Sequence, residues 1–381
     1  MYVLYYQNSI KMTRSTKMFP ALQLLIFAVP TLIICVSVPP SNADHYKPPL
    51  YVFGDSLFDN GMTLYYGVKG VAAEFWPYGQ TYFHKPAGRL NDGRVIPDFI
   101  AEYAGLPFLP PYLLPGLQDF TKGINFASAG ACVLVDLRPR TINLKKQVDY
   151  FKEMVIKLKQ QLGVAQANKL LSEAVYMFNI GGNDYVNLLE KNVKKLPLSN
   201  FKKKRRMNKV LGDLTIHIKE IYNQGGRKFA FQKIGSLGCM PSMKYLVSYK
   251  GTGCVQELQE LAEMHNTAFD AIVQKLETQL PGFKYSIYDF YTSIYLRILN
   301  GSSYGFVDTQ TACCGSGSYN GGFTCQKQGY IFSVCSNPND YLWFDAAHPT
   351  DKANQAFSKE FWSGGSDLVA PYNLMNLFAA N

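Results

Sequence analysis

Histidine is scarce in this chain, with five among 381 residues, and tryptophan is scarcer, with three. No two cysteines have the C-x-x-C spacing and no histidine neighbours the cysteine cluster, which excludes the common zinc frameworks. Charged residues make up only 17% while 47% are hydrophobic, so intrinsic disorder is excluded for the bulk of the chain. Glycine and proline, 31 and 20 residues, have no period, which excludes a fibrous repeat. Acidic residues are outnumbered 28 to 38 by Lys and Arg, a formal charge of +10 that is modest for the length. The densest basic run, Lys202-Lys203-Lys204-Arg205-Arg206, has no aromatic residues interleaved. It reads as a solvated loop or helix start, and nucleic acid is not an expected partner.

A long apolar run occurs once, at residues 19–38, preceded by Lys11, Arg14 and Lys17 and followed by Ser41-Asn42-Ala43. A cationic start, an apolar middle and a small-residue exit predict a secretory signal peptide over residues 1–43, cleaved to leave residues 44–381. The alternative is a membrane anchor, since about 20 apolar residues can span a bilayer. Pro30 inside the run and Pro39-Pro40 after it favour cleavage, with no stable membrane insertion afterwards. The stretch before Lys11 is long for a signal, which makes Met12 or Met18 a candidate start.

Cys35 leaves with the signal, and Cys132, Cys239, Cys254, Cys313, Cys314, Cys325 and Cys335 remain. Export predicts disulfides, densest in the loop between Cys313 and Cys335. The odd number leaves a free thiol, for which Cys132 in its apolar stretch is the candidate. The sole sequon, Asn300-Gly301-Ser302, predicts glycosylation of Asn300 on a surface loop.

Short apolar runs alternate with helical patterns along the mature chain. Strands are expected at residues 50–53, 123–127, 174–180, 228–234 and 283–288. Helices are expected at 144–162, 207–222 and 255–280, each with apolar residues on one face. Strand and helix in alternation, with no polar linker and no internal repeat, predict one α/β domain with a parallel sheet covered on both sides. Such sheets carry their working residues on loops beyond the carboxyl ends of the strands.

Those strand ends carry polar groups. After the first comes Gly54-Asp55-Ser56-Leu57, a serine at a strand-to-helix turn, which alone would read as an N-cap. The second runs into Ala127-Ser128-Ala129-Gly130, where a glycine lets backbone approach a ligand or merely turns the chain. The third ends in Gly181-Gly182-Asn183-Asp184, a carboxamide at the same edge or an Asx turn. Near the carboxyl terminus, Asp345-Ala346-Ala347-His348 places a carboxylate three residues before an imidazole, close enough to hold its Nδ1. By contrast His265, within a helical pattern, reads as a packing residue, and His217 as a surface partner of Asp213.

Acyl transfer needs a hydroxyl nucleophile, a base, a carboxylate to orient that base, and donors for the oxyanion. Ser56, His348, Asp345, the N–H groups of Ser56 and Gly130, and the Asn183 side chain supply that set. The string Gly301-Ser302-Ser303-Tyr304-Gly305 matches G-x-S-x-G, yet a nucleophile elbow needs a strand before and a helix after. Here a helical pattern precedes it and a Cys- and Gly-rich loop follows, so it is rejected.

The blocks Gly54-Asp55-Ser56-Leu57, Gly130, Gly181-Gly182-Asn183-Asp184 and Asp345-x-x-His348 resemble the ordered motifs of the GDSL-type esterase/lipase family, the SGNH hydrolases. Likeness spans about residues 49–361 and is nearest to the plant secreted branch. Phe75-Trp76-Pro77-Tyr78-Gly79-Gln80, the block from Gly88 to Arg94, Asn125-Phe126-Ala127-Ser128 and Cys313-Cys314-Gly315 share in it. One departure is Ala129-Gly130, where plant members often carry two glycines. The resemblance implies a flavodoxin-like three-layer sandwich with a central five-stranded parallel sheet, no metal and no cofactor, and hydrolysis of small acyl esters. It makes Ser56 the nucleophile, His348 the base and then acid, and Asp345 the orienting carboxylate. Ser56, Gly130 and Asn183 would bind the oxyanion.

Secretion to the extracellular space or vacuole is then expected. An acyltransferase of specialised metabolism or of cutin-type polymer would use the same residues, and a non-catalytic binding protein would predict erosion of a site that is here complete. The segment 75–82, with residues 106–114, is either a candidate acyl pocket or ordinary loop packing, and no large lid is recognisable, so a short or medium acyl chain is expected.

Overall fold

The computed structural model describes residues 47–67, 71–251, 253–327 and 329–380; the expected signal segment lies outside them. Five strands, β1 (Leu50–Gly54), β2 (Gly123–Asn125), β3 (Val175–Asn179), β4 (Lys228–Gln232) and β5 (Lys284–Tyr288), pair in parallel in the order β5-β4-β3-β1-β2. A short edge strand, Val369–Pro371, adds to β5 antiparallel. The sequence reading contains no strand there: three residues ending in proline carry no alternation to detect.

Helices α1 (Ile96–Tyr103), α2 (Leu144–Leu162), α3 (Val164–Glu173), α4 (Gly182–Glu190), α5 (Asn200–Asn223), α6 (Pro241–Leu246), α7 (Gln256–Gln279), α8 (Phe290–Leu299), α9 (Asp351–Ser363) and α10 (Leu374–Ala379) complete the main elements. Side chains of a strand alternate between faces, so β1 sends Tyr51 and Phe53 to one core and Leu50 and Val52 to the other. The first core packs under α2, α3, α5 and α7 through Val148, Leu170, Val210, Leu214 and Leu261. The second packs under α1, α8 and α9 through Ile100, Ile294 and Phe357. Burial on both faces explains why these strands read as unbroken apolar runs rather than alternating ones.

Several expectations change in detail. Helix α5 begins at Asn200, capped by the Ser199 side chain, and so absorbs the basic run. That run is not wholly solvated: Lys203 is buried and paired with Glu257 at 2.9 Å, because α7 presents two glutamates to it. His217 is buried and bonds Glu220 at 2.8 Å instead of Asp213, since Lys152 of α2 draws Glu220 to the same spot, also at 2.8 Å. His265 is a packing residue, with Nδ1 2.7 Å from the Tyr185 hydroxyl and burial pushing its pKa down to about 3.

Disulfides join Cys239 to Cys254, Cys313 to Cys335 and Cys314 to Cys325, and Cys132 is free and buried. Asn300 is exposed at the end of α8, and residues 301–304 form a 3-10 turn with no strand before it. Among the described residues no helix is long and apolar enough to cross a membrane.

Candidate active site

Parallel register brings three loops to one edge. Gly54 lies beside Asn179, and the next amide, Asp55 N–H, donates to the Asn179 carbonyl at 3.1 Å. On the other side Ser128 N–H donates to the Gly54 carbonyl at 3.1 Å. A β-carbon at Gly54 would stand 2.6 Å from the Asn179 carbonyl oxygen, so no other residue lets β1 end this close to β3. The Gln147 carboxamide of α2 completes both backbone groups of Gly54, at 2.9 and 2.8 Å. Ser56, Gly130 and Asn183 therefore leave the sheet side by side.

The fourth loop reaches them from the far end of the chain. Asp345 Oδ1 accepts from the backbone N–H groups of Ala347 and His348, at 3.0 and 2.9 Å, and lies 2.7 Å from His348 Nδ1. His348 Nε2 then stands 2.8 Å from Ser56 Oγ, across 292 residues of sequence. The turn is fixed downstream by α9: Asp351 N–H donates to the Asp92 carboxylate at 2.9 Å, and Arg94 Nε bonds the Asp351 carboxylate at 3.1 Å. That gives the segment from Gly88 to Arg94 its role, for it clamps the start of the helix that follows His348.

Burial pushes the His348 pKa down, but the charge and hydrogen bond of Asp345, assisted by Asp55 and Asp59, outweigh it and leave the imidazole above its ordinary value. Burial likewise pushes Asp345 up, and His348, the Ala347 N–H and the Tyr78 hydroxyl bring it below the usual carboxylate range. Asp55, fully enclosed, is pushed up to about 6 by burial against the opposing pull of the Leu57 N–H, His348 and Arg138.

Gly130 has φ +73°, a left-handed conformation that suits glycine. Among the described residues its N–H and that of Ser56 have no hydrogen-bond acceptor in the protein. Both loops are braced by carboxylates that the sequence reading does not assign. Asp59 accepts from Gly61, Met62 and Ala129 N–H groups at 2.7–2.8 Å, and Asp184 accepts from Val133 and Leu134 at 2.9 and 3.0 Å. Asn183 faces the same space, with Nδ2 3.0 Å from the Ala131 carbonyl and 3.4 Å from Asp55 Oδ2.

These groups line a cavity of about 630 Å³. Its apolar lining includes Ile180, Val186, Ile234, Leu237, Met240 and Met243, with Phe323 and Cys325 from the stapled loop. Of the candidate acyl-pocket segments, residues 75–82 contribute Tyr78 to this cavity, residues 106–114 do not line it, and Phe75 and Trp76 are exposed. Tyr78 also bonds Asp345, a contact with no periodic signal in the sequence. A polarised hydroxyl, a paired imidazole and unoccupied N–H donors beside an apolar slot can support acyl transfer.

The family model for the GDSL-like lipase/acylhydrolases matches residues 50–361. A GDSL lipase of Tanacetum cinerariifolium is 41% identical over 349 residues, covering 91% of this chain and 92% of that protein. GDSL esterase/lipase 4 of Arabidopsis thaliana is 42% identical over 342 residues, 86% of this chain and 90% of that one. An Arabidopsis protein named as an inactive GDSL esterase/lipase-like protein is 36% identical over 332 residues, covering 87% of this chain and 75% of its own length. With that match across the five parallel strands and their loops, the chain belongs to the GDSL-like lipase/acylhydrolase family and is a carboxylic ester hydrolase.

Proposed function

We propose that the protein is a secreted serine esterase that hydrolyses acyl esters through an acyl-enzyme formed on Ser56. The observation that carries this is the unbroken relay from Asp345 through His348 to Ser56, with contacts of 2.7 and 2.8 Å. Ser56 Oγ attacks the ester carbonyl while His348 Nε2 takes its proton, and Asp345 stabilises the imidazolium. Negative charge on the carbonyl oxygen is met by the N–H groups of Ser56 and Gly130 and by the Asn183 carboxamide. The alcohol leaves with the proton from His348; a water molecule, activated by the same imidazole, then releases the acid. The acyl chain lies against Ile180, Val186, Ile234 and Met243, which suits short and medium chains.

Residues 1–43 act as the export signal and residues 44–381 as one hydrolase domain, with Asn300 glycosylated. Three disulfides and the exposed sequon support passage through an oxidising compartment. The test is hydrolysis of p-nitrophenyl esters of rising chain length by the mature protein and by Ser56→Ala. Loss of turnover in the variant, and a serine-directed phosphonate adduct that maps to Ser56 in the parent, support the reading. An active Ser56→Ala protein overturns it. Product analysis with an added alcohol supports hydrolysis if free acid accumulates, and a dominant ester product would make the enzyme a transferase.

A further inference from the structure

The carboxamide of Asn183 is held from two sides by groups that leave no choice of orientation. Arg138 Nη1 lies 3.1 Å from Oδ1, and a guanidinium can only donate. The Ala131 carbonyl lies 3.0 Å from Nδ2, and a carbonyl can only accept. Turning the amide over would set N–H against N–H and oxygen against oxygen at once. In the observed orientation one Nδ2 hydrogen is used by Ala131. The other has only the long 3.4 Å contact to Asp55 Oδ2 and is free to meet a charge developing in the cavity.

Arg138 is itself anchored. Its carbonyl accepts from Thr141 N–H and Oγ–H, at 3.1 and 2.8 Å, which fixes the turn of the β2–α2 loop. Its Nη2 lies 3.6 Å from Glu190, the last residue of α4, while Nη1 reaches Asn183 near the start of that helix. Asn183 and Glu190 are about two turns apart on one face, and their side chains converge on the guanidinium, which bridges them. The ion pair is partly solvated, with side chains 30% and 40% exposed, and long at 3.6 Å, so it adds little stability. Nη1 also lies 3.6 Å from where a β-carbon of Gly130 would be, so the group stands next to the second backbone donor of the site.

We propose that Arg138 is a positioning residue, which locks the Asn183 carboxamide with its nitrogen toward the oxyanion site. The proposal rests on the esterase reading of that site. Without Arg138 the carboxamide oxygen loses its partner, and the amide, held only through its nitrogen by Ala131 and the long contact to Asp55, can turn away and lose part of a donor whose complete removal typically costs about 10²–10³-fold in kcat.

The experiment is a double-mutant cycle on the full mature protein with p-nitrophenyl butyrate: parent, Arg138→Met, Asn183→Ala and the pair. Arg138→Met is expected to lower kcat about tenfold with KM within about twofold, since only the transition state carries the oxyanion. In the Asn183→Ala background the same change is expected to have no further effect. An equal loss in both backgrounds, or a loss confined to KM, overturns the proposal and leaves the esterase reading intact. An Asn183→Ala protein with parental kcat removes the oxyanion role and this proposal with it, while Ser56→Ala still tests the nucleophile separately. If Arg138→Met does not fold, as judged by its thermal transition, Arg138→Lys carries the same cycle. The lysine keeps a donor without the rigid fork, and a smaller loss that again vanishes with Asn183→Ala supports the proposal; a loss that persists overturns it.

Discussion

The Tyr78 hydroxyl donates to Asp345 Oδ2 at 2.9 Å, the one carboxylate oxygen that His348 leaves free. Oδ1 already serves His348 Nδ1 and two backbone N–H groups, so Tyr78 completes a carboxylate that is only 3% exposed. Its ring is wedged edge-on against Phe344 with centroids 5.2 Å apart. Tyr78→Phe keeps that packing and strands a buried acceptor, which costs about 1–3 kcal/mol. Urea unfolding should register this loss, and kcat should fall by about tenfold or less, because the imidazole keeps its Oδ1 partner. Unchanged stability would show that water replaces the phenol.

The pH profile follows from the two shifted groups. The base must be neutral, so the acid limb of kcat/KM is expected above the ordinary 6.5 of histidine, because Asp345 more than offsets burial. Asp345→Asn removes the main upward pull and should move that limb below 6.5, with a loss of about 10⁴-fold as in other serine hydrolases with this substitution. Stability is linked with opposite signs. The raised His348 contributes below 6.5, and its share is lost as pH rises through the folded value. The depressed Asp345 contributes above 3.8, and its share is lost as pH falls through the folded value. A limb at or below 6.5 in the parent would contradict this electrostatic account.

Much of this site could be read from the sequence because of where its residues fall. Ser56, Gly130 and Asn183 follow apolar runs that could only be buried strands, and α2 has the expected bounds of 144–162. Asp345 and His348 were legible by their mutual spacing. The roles of Tyr78, Arg138 and Asp184 are not legible: Tyr78 and Asp184 fall inside recognised blocks, but what each side chain braces depends on long-range contacts that leave no period. Aromatics suggest a slot, so the sequence points to residues 75–82, with 106–114, as a candidate acyl wall. From that run only Tyr78 lines the cavity, together with apolar residues after β3 and β4, on α4 and at 237–243. Those residues look like ordinary core because they are core on one side.

Asp184 links α4 to the loop that carries Gly130. Its carboxylate accepts from Val133 and Leu134, and burial pushes its pKa up to about 6 against the pull of those N–H groups and Arg206. Asp184→Ala leaves two buried N–H groups without partners and is expected to cost about 2–4 kcal/mol at neutral pH. Activity should fall further than for Tyr78→Phe, because the Gly130 N–H loses its support. Denaturant midpoints and kcat measured together check this; an intact kcat in a destabilised protein would detach the brace from the donor.

The Cys314–Cys325 bridge closes a short loop whose Cys325 lines the cavity. Serine at both positions should lower stability by about 3 kcal/mol on the loop-entropy estimate. With Phe323 on the same loop and also lining the cavity, KM for longer acyl esters should rise more than KM for acetate. Equal change for all chain lengths would show that the staple serves the fold alone.

Val186 lies one turn after Asn183 on α4 and lines the same cavity, next to the proposed oxyanion donor. Burying one methylene is worth about 0.8 kcal/mol, or about fourfold in kcat/KM. From acetate to hexanoate the parent should therefore gain steadily, then level off once the slot is full. Val186→Phe fills the space beyond the reacting carbonyl without touching the hydrogen bonds of Asn183. Acetate turnover should stay within about twofold of the parent, while hexanoate loses the contribution of several methylenes, more than about tenfold. A variant that weakens acetate and hexanoate alike would place the acyl chain elsewhere, on the side of Phe323, and make the aliphatic wall the binding surface of the alcohol.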